Sequence, residues 1–156
     1  MAEREHIAEL RRAAPGYEAD YAAWLEHQIG LLKAGRWSEI DKDNLIDEVE
    51  SLGRSDFKGF VSALEILIAH MLKWDLQPQR RSNSWIASIA EHRDRISQEL
   101  EDSPSYTARI AEAMRRAWRP ARARVSIETD LPLKQLPSEL PYSFEDIMNR
   151  EHELGA

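Results

Sequence analysis

The fold is decided by residues 41–74, which read DKDNLIDEVESLGRSDFKGFVSALEILIAHMLKW. Asp41 is a good helix N-cap, and the acids in the turns that follow suit the positive end of a helix dipole. From Phe57 to Trp74 apolar side chains wrap most of the helix circumference, a pattern typical of a helix buried at the centre of a protein. We therefore predict a central helix over this second part.

The first part of the stretch carries a narrower apolar stripe formed by Leu45, Val49 and Leu52. This spacing places the three side chains on one side of a helix, and we expect that side to face the interior. Gly53 follows directly and either ends this helix or only weakens it. The pattern leaves open whether residues 41–74 form one helix or two.

Further helical patterns lie on both sides of this stretch. Residues 18–34 carry an apolar stripe that Gln28 interrupts, and Gly35 supplies a C-terminal stop. Residues 82–102 carry another stripe with His92 at its centre. Gln28 and His92 therefore occupy positions that we expect to face the interior.

Prolines organise the C-terminal part of the chain. Residues 103–104, Ser-Pro, read as a cap and a first helical residue and open a further helix, which Pro120 should kink or end. Leu-Pro pairs within residues 131–141 exclude a regular helix and predict an extended strap. Ser143 to Asp146 resembles a capping box, which predicts a short final helix.

The composition fits one all-α domain. The chain has 156 residues, 42% of them hydrophobic, and no cysteine, so disulfides, thiolate metal sites and cysteine nucleophiles are excluded. We expect a compact bundle of four to five main helices with a proline-rich extended C-terminal strap and a short final helix. Residues 17–150 should form this domain, between an N-terminal segment, residues 1–16, and a C-terminal tail, residues 151–156.

Charge and hydropathy bear on location and partners. No apolar run approaches the roughly 18 residues that a membrane helix needs, and the charged start MAEREHIAELRR lacks a signal-peptide core, so we expect a cytoplasmic protein without a membrane partner. The net charge of −7 opposes broad nucleic-acid binding. Residues 18–56 hold ten acids and four bases, whereas residues 104–127 hold six arginines and one acid. These segments could pair within the chain or between copies of it.

A metal-dependent, hydrolase-like enzyme is one functional hypothesis. Inward-facing histidines and glutamates from different helices build metal centres in helical bundles, and three ligands with an open position activate water. The candidate ligands are His70, His92 and Glu48, on three helical segments. No Glu-x-x-His or His-x-x-x-His spacing is present, so an ordinary hydrogen-bonded network, which also draws on Gln28 and Glu99, is the competing interpretation. By default no cofactor is expected, and a divalent metal is the alternative.

Nucleic-acid binding is a second functional hypothesis. A third, a non-catalytic binding or interaction module, is the one that we favour. Arginines surround a tryptophan in RRAWRPARAR, a composition suited to phosphates and stacked bases; the candidates are Arg115, Arg116, Trp118 and Arg119. A salt-bridged face docked on the acidic residues 41–50 is the better supported interpretation, because these acids are present in the same chain and the net charge is negative. Five tryptophans exceed what a core of this size must hide, and tryptophan and arginine are favoured at interfaces. Trp37 is the best candidate for an exposed anchor, or else a hydrophobic staple on Leu45. We therefore expect a protein partner or a homo-oligomer.

Several blocks of this sequence, in one order, resemble a known family. They are YAAWLEHQIGLLKAGRWSEID, NLIDEVESLGRSD, HMLKW, RSNSWIASIAEHR, LEDSPS and TDLPLKQLPSELPYSFEDIM. These blocks, spread over about residues 17–148, are similar to successive blocks of the bacterial "domain of unknown function 29" family. The resemblance implies a small all-helical bacterial protein. It implies no activity, cofactor or site residue, because the family has none assigned.

Overall fold

Residues 14–155 are described by the structure, a computed structural model, and every regular element in that range is helical. Most of the predicted N-terminal segment, residues 1–13, and the last residue of the predicted tail lie outside the described range. The α-helices are α1 (Tyr21–Lys33), α2 (Lys42–Leu76), α3 (Asn83–Asp102), α4 (Ile110–Thr129) and α5 (Phe144–Asn149). The prediction of an all-α fold with four main helices and a short final one is confirmed.

Of the three predicted helix breakers, Gly35 ends its helix, whereas Gly53 and Pro120 do not. Gly35 ends α1 with a positive φ of 68°, as expected for a glycine stop. Gly53 lies inside α2, which runs through it without a break. Pro120 lies inside α4 and does not end it. Pro120 and Arg116, whose carbonyl group loses its helical partner, are both exposed, so water can supply the missing hydrogen bond.

The chain divides into two compact units, Met1–Gly53 and Arg54–Ala156, and each is described by itself. α1 and the first residues of α2 belong to the first unit. The rest of α2 and the helices from α3 to α5 belong to the second. The single-domain organisation expected over residues 17–150 stays a prediction.

The first unit has a small interior built on α1. Trp24, Gln28 and Leu31 are buried there, which matches the predicted stripe with its polar interruption. The Gln28 Oε1 atom accepts a hydrogen bond from the backbone N–H of Asp41 at 2.7 Å, and the Trp24 indole N–H donates to the Asp41 carboxylate at 3.1 Å. The Asp41 carboxylate also accepts from the Asn44 side chain at 2.7 Å. Asp41 therefore links α1 to the start of α2.

The predicted inward face of the first part of α2 is wrong. Val49 and Leu52 are 66% and 64% exposed, and Leu45 is half-buried. The side of α2 that meets the aromatic residues of α1 is instead the one that carries Glu48, which is hydrogen-bonded to Tyr17 and Tyr21. The apolar stripe is real, but it lies at the surface of the unit.

The second unit has the central helix that the sequence predicts. From Phe57 to Trp74, α2 supplies most of the core, with Phe60, Leu64, Leu67 and Ile68 fully buried. α3 contributes Ile89 and Ile96. α4 presents only small residues at its closest approach, and these are Ala113, Ala117, Ala121 and Val125. Small side chains on α4 allow its backbone to pack closely on the core.

The strap and the final helix close the second unit. Between α4 and α5 the chain has no α-helix, in agreement with the prediction, and it buries Leu136 and Tyr142. α5 begins with a capping box in which the Ser143 side chain and the Asp146 side chain each bond the other's backbone N–H. Ile147 then fixes α5 to the core with no exposed surface. The predicted capping box is confirmed.

Candidate interaction surface

An exposed apolar groove lies on the first unit. Three of its side chains are exposed to solvent: Ile46 at 44%, Val49 at 66% and Leu32 at 37%. We call this groove the α1–α2 face, and it is lined by Leu32, Ile40, Lys42, Leu45, Ile46, Val49 and Glu50. Leu52 continues the same stripe toward Gly53. Exposed apolar side chains that share one groove make it a candidate interaction site.

Glu48, one of the predicted metal ligands, is occupied by hydrogen bonds at the edge of the apolar stripe of α2, one turn from Leu45 and Leu52. Its carboxylate accepts from the Tyr17 hydroxyl at 2.5 Å and from the Tyr21 hydroxyl at 2.8 Å. The hydrogen bond from Tyr17 lowers the pKa of Glu48 most, and the hydrogen bond from Tyr21 adds to this effect. The bond between Tyr17 and Glu48 also raises the pKa of Tyr17 to about 12. The Tyr17 ring packs edge to face on Tyr21 and on Trp24, and the rings of Tyr21 and Trp24 are stacked. Glu48 therefore orders the aromatic residues of the first unit.

Trp37, the predicted anchor, lies in the short turn between α1 and α2 and is 67% exposed. A hydrophobic staple on Leu45 would bury most of the indole ring. The exposure therefore favours the surface interpretation. Trp37 does not line the α1–α2 face itself.

His70 and His92 lie in the second unit, and both are half-buried. The Nδ1–H group of His70 donates to the Ile66 carbonyl at 2.9 Å, and that of His92 donates to the Ser88 carbonyl at 2.8 Å. Burial, and to a smaller extent the charge of Lys73, lowers the pKa of His70, although the hydrogen bond to the Ile66 carbonyl opposes this effect. Each histidine thus has the structural partner expected of an ordinary core histidine.

The metal site stays a prediction without geometric support. Within residues 14–155 no group of three or more histidine, aspartate and glutamate side chains could hold a metal ion. Near His70 the charged neighbours form an ion-pair network instead. Lys73 bonds Glu128 at 2.6 Å, and Arg124 bonds Glu65 at 2.8 Å and Glu128 at 3.6 Å.

The arginine and tryptophan cluster lies on α4 beside the strap. Trp118 donates its indole N–H to the Ser138 carbonyl at 3.2 Å, and shallow grooves flank its ring. Arg116 pairs with Glu112 at 3.4 Å. Arg115 and Arg119 are exposed and make no ion pair with any described residue. Nucleic-acid binding through this cluster stays a prediction, and the negative net charge still opposes it.

A polar cluster at the C-terminal end of α2 was not predicted. The Tyr142 hydroxyl donates to the Asp75 carboxylate at 2.6 Å, and Arg150 donates to the same oxygen at 2.9 Å. From α3, Arg93 donates to the Ile147 carbonyl at 2.7 Å and to the Arg150 carbonyl at 2.8 Å. We call Asp75, Arg93, Tyr142, Arg150 and His152 the C-terminal cluster. These residues fasten α5 and the chain after it to α2 and α3.

His152 is the least satisfied member of this cluster. It is 9% exposed, its ring packs edge to face on Trp74 at 5.4 Å, and neither ring nitrogen has a hydrogen-bond partner among the described residues. Burial, and then the positive charges of Arg93 and Arg150, lower the pKa of His152 below its ordinary value of 6.5, although the nearby Arg150 backbone and then the charge of Asp75 oppose this effect. Folding therefore favours the neutral form of this imidazole.

We expect acid to destabilise the protein partly through His152. The pKa of His152 is lower in the folded chain than in the unfolded chain, so the unfolded chain binds the proton more readily. The contribution of His152 to stability is therefore fully present above pH 6.5 and is lost as the pH falls. Urea unfolding between about pH 7 and about pH 5 should show a smaller loss of unfolding free energy in His152→Gln than in the wild type. His27→Gln is the control. Equal losses in His152→Gln and the wild type would contradict the assignment.

Together the fold and these contacts define a small all-helical protein with an exposed apolar helical groove. The chain belongs to the family described as "Domain of unknown function DUF29", which matches residues 17–152. The resemblance seen in the sequence is thereby confirmed, and the family's description assigns no activity. No curated protein and no solved structure matches the chain. None of the helices in residues 14–155 has the length and apolar character needed to cross a membrane.

Proposed function

We propose that this protein is a binding module whose α1–α2 face receives an amphipathic helix from a protein partner. The observation that carries the proposal is the exposure of Ile46, Val49 and Leu32 along one groove. All three are large aliphatic side chains that are 37–66% exposed, so burial of the remaining surface by a partner would contribute roughly 1 kcal/mol for each of them.

The form of the groove favours a helix as its occupant. Leu45, Ile46, Val49 and Leu52 recur along α2 at helical spacing, so the face is a long strip rather than a round pocket. Leu32 and Ile40 border the strip from α1 and the connecting turn. An amphipathic helix laid in such a groove inserts side chains at positions i, i+3, i+4 and i+7.

Binding of a designed helix tests the proposal. The probe is a fluorescein-labelled peptide with leucine at positions i, i+3, i+4 and i+7 and with lysine and glutamine elsewhere, and a peptide of the same composition in scrambled order is the peptide control. Fluorescence anisotropy should show binding of the first peptide only. Val49→Asp should raise the dissociation constant at least about tenfold, because it places a charge in the apolar strip.

The matched protein control is Ile127→Asp, since Ile127 is an isoleucine of α4 that is 79% exposed outside the groove. It should bind the helix like the wild type. Equal binding by Val49→Asp and the wild type, or equal binding of the ordered and scrambled peptides, would overturn the proposal.

A further inference from the structure

We propose that the α1–α2 face binds the same face of a second copy of this chain, with the two α2 helices antiparallel about a two-fold axis near Ile46. This inference rests on the proposed function and names the partner that supplies the helix. Its evidence is the arrangement of charge within the groove.

The groove carries one basic and one acidic side chain, Lys42 and Glu50, and both come from α2. Lys42 lies four positions before Ile46, and Glu50 lies four positions after it. When two such helices run antiparallel with their Ile46 residues opposed, Lys42 of each copy therefore faces Glu50 of the other. A two-fold interface requires this kind of self-complementary surface.

The apolar residues fit the same arrangement. At 3.6 residues per turn, Lys42, Ile46, Val49 and Glu50 fall within an arc of about 100° on α2. Ile46 lies between the two charges, so the pairing buries an apolar centre with an ion pair at each end. Leu32 lines the groove from α1, so two copies would bring four helices together, which is a common form of helix packing.

Two further acids near the groove, Asp43 and Asp47, do not oppose this pairing strongly. Asp43 and Asp47 do not line the groove and fall farther round the helix than Glu50, on the edge that meets water. The groove thus separates the charges that would pair from those that would only repel. Self-association would also explain why Val49 follows a core-like pattern yet lies exposed in a single chain.

Charge reversal distinguishes this two-fold pairing from any other contact. Lys42→Glu alone and Glu50→Lys alone each create two like-charge contacts per dimer, and each should raise the dimer dissociation constant about tenfold in sedimentation equilibrium. An equimolar mixture of these two variants should form a heterodimer, because each interface end then joins opposite charges again. The double variant Lys42→Glu/Glu50→Lys should dimerise like the wild type for the same reason.

Two further variants separate loss of the interface from loss of the fold. Ile46→Asp should be monomeric while it retains the helical circular dichroism of the wild type, and Ile127→Asp should remain dimeric. A wild-type chain that stays monomeric throughout the dilution series would overturn the inference, as would a mixture of the single variants that fails to restore the dimer. A monomer that still binds the designed helix would leave the proposed function intact, whereas a monomer that does not bind it would overturn both.

Discussion

Arg93→Met should lower the free energy of unfolding by about 3 kcal/mol, the largest effect expected for any polar residue in the second unit. Arg93 donates to the carbonyl groups of Ile147 and Arg150, and it does so across the end of α5. Ile147 has no exposed surface, so its carbonyl group loses a charged donor at a site that water reaches poorly. Methionine keeps much of the apolar stem, and the loss is therefore that of the hydrogen bonds.

Arg95→Met is the matched control for this prediction. Arg95 lies on the same helix, but it is exposed and its ion pair with Glu99 is long, at 3.9 Å, so its removal should cost less than about 0.5 kcal/mol. Urea unfolding gives both values, and unchanged denaturant slopes would show that only stability has changed. If Arg93→Met were as stable as Arg95→Met, the contacts of Arg93 would not fasten α5.

The elements that the sequence predicts well are those that depend on neighbours in the chain. The apolar circumference from Phe57 to Trp74 identifies the central helix because a helix without a polar side has to be buried. The capping box at Ser143 and Asp146 is equally local, since both of its hydrogen bonds join residues three positions apart. Gln28 could be recognised as buried because it interrupts an otherwise apolar stripe.

The face of α2 could not be assigned from its pattern. Leu45, Val49 and Leu52 show that one side of the helix avoids water, but periodicity does not say what covers that side. In the structure the interior of the first unit lies at one edge of this stripe, where Glu48, one turn from Leu45 and Leu52, meets Tyr17 and Tyr21. A carboxylate that binds two tyrosine hydroxyls satisfies its charge inside an aromatic cluster, and no spacing rule indicates such a partner 31 residues away.

The C-terminal cluster lay beyond sequence reasoning for the same reason. Asp75 and Arg150 are separated by 75 residues, and each, taken alone, reads as an ordinary charged surface residue. Only the approach of α2, α3 and the chain after α5 brings them together. His152 gives a weaker signal still, because it stands in the charged segment REHEL, where burial would not be expected.

Asp75→Ala should lower the free energy of unfolding by about 2 kcal/mol, chiefly because it leaves the Tyr142 hydroxyl without an acceptor. Tyr142 is only 8% exposed, and its hydroxyl lies 2.6 Å from the Asp75 carboxylate. Arg150 loses its ion pair as well, but its guanidinium is partly exposed and water can replace part of that interaction. The measurement is urea unfolding at about pH 7, where the carboxylate is ionised.

A double-mutant cycle isolates the contact between Asp75 and Tyr142. Tyr142→Phe removes the hydroxyl, so Asp75→Ala should cost about 1 kcal/mol less in that background than in the wild type, whereas Asp75→Ala and Arg95→Met should be additive. Burial raises the pKa of Asp75, but the hydrogen bonds from Arg150 and Tyr142 outweigh it and hold the pKa below 3.8. A carboxyl with a lowered pKa stabilises the fold above its ordinary pKa and loses that effect as acid protonates it, so the coupling should persist at neutral pH and decline below about pH 4. Full additivity with Tyr142→Phe at neutral pH would show that the 2.6 Å contact contributes nothing to stability.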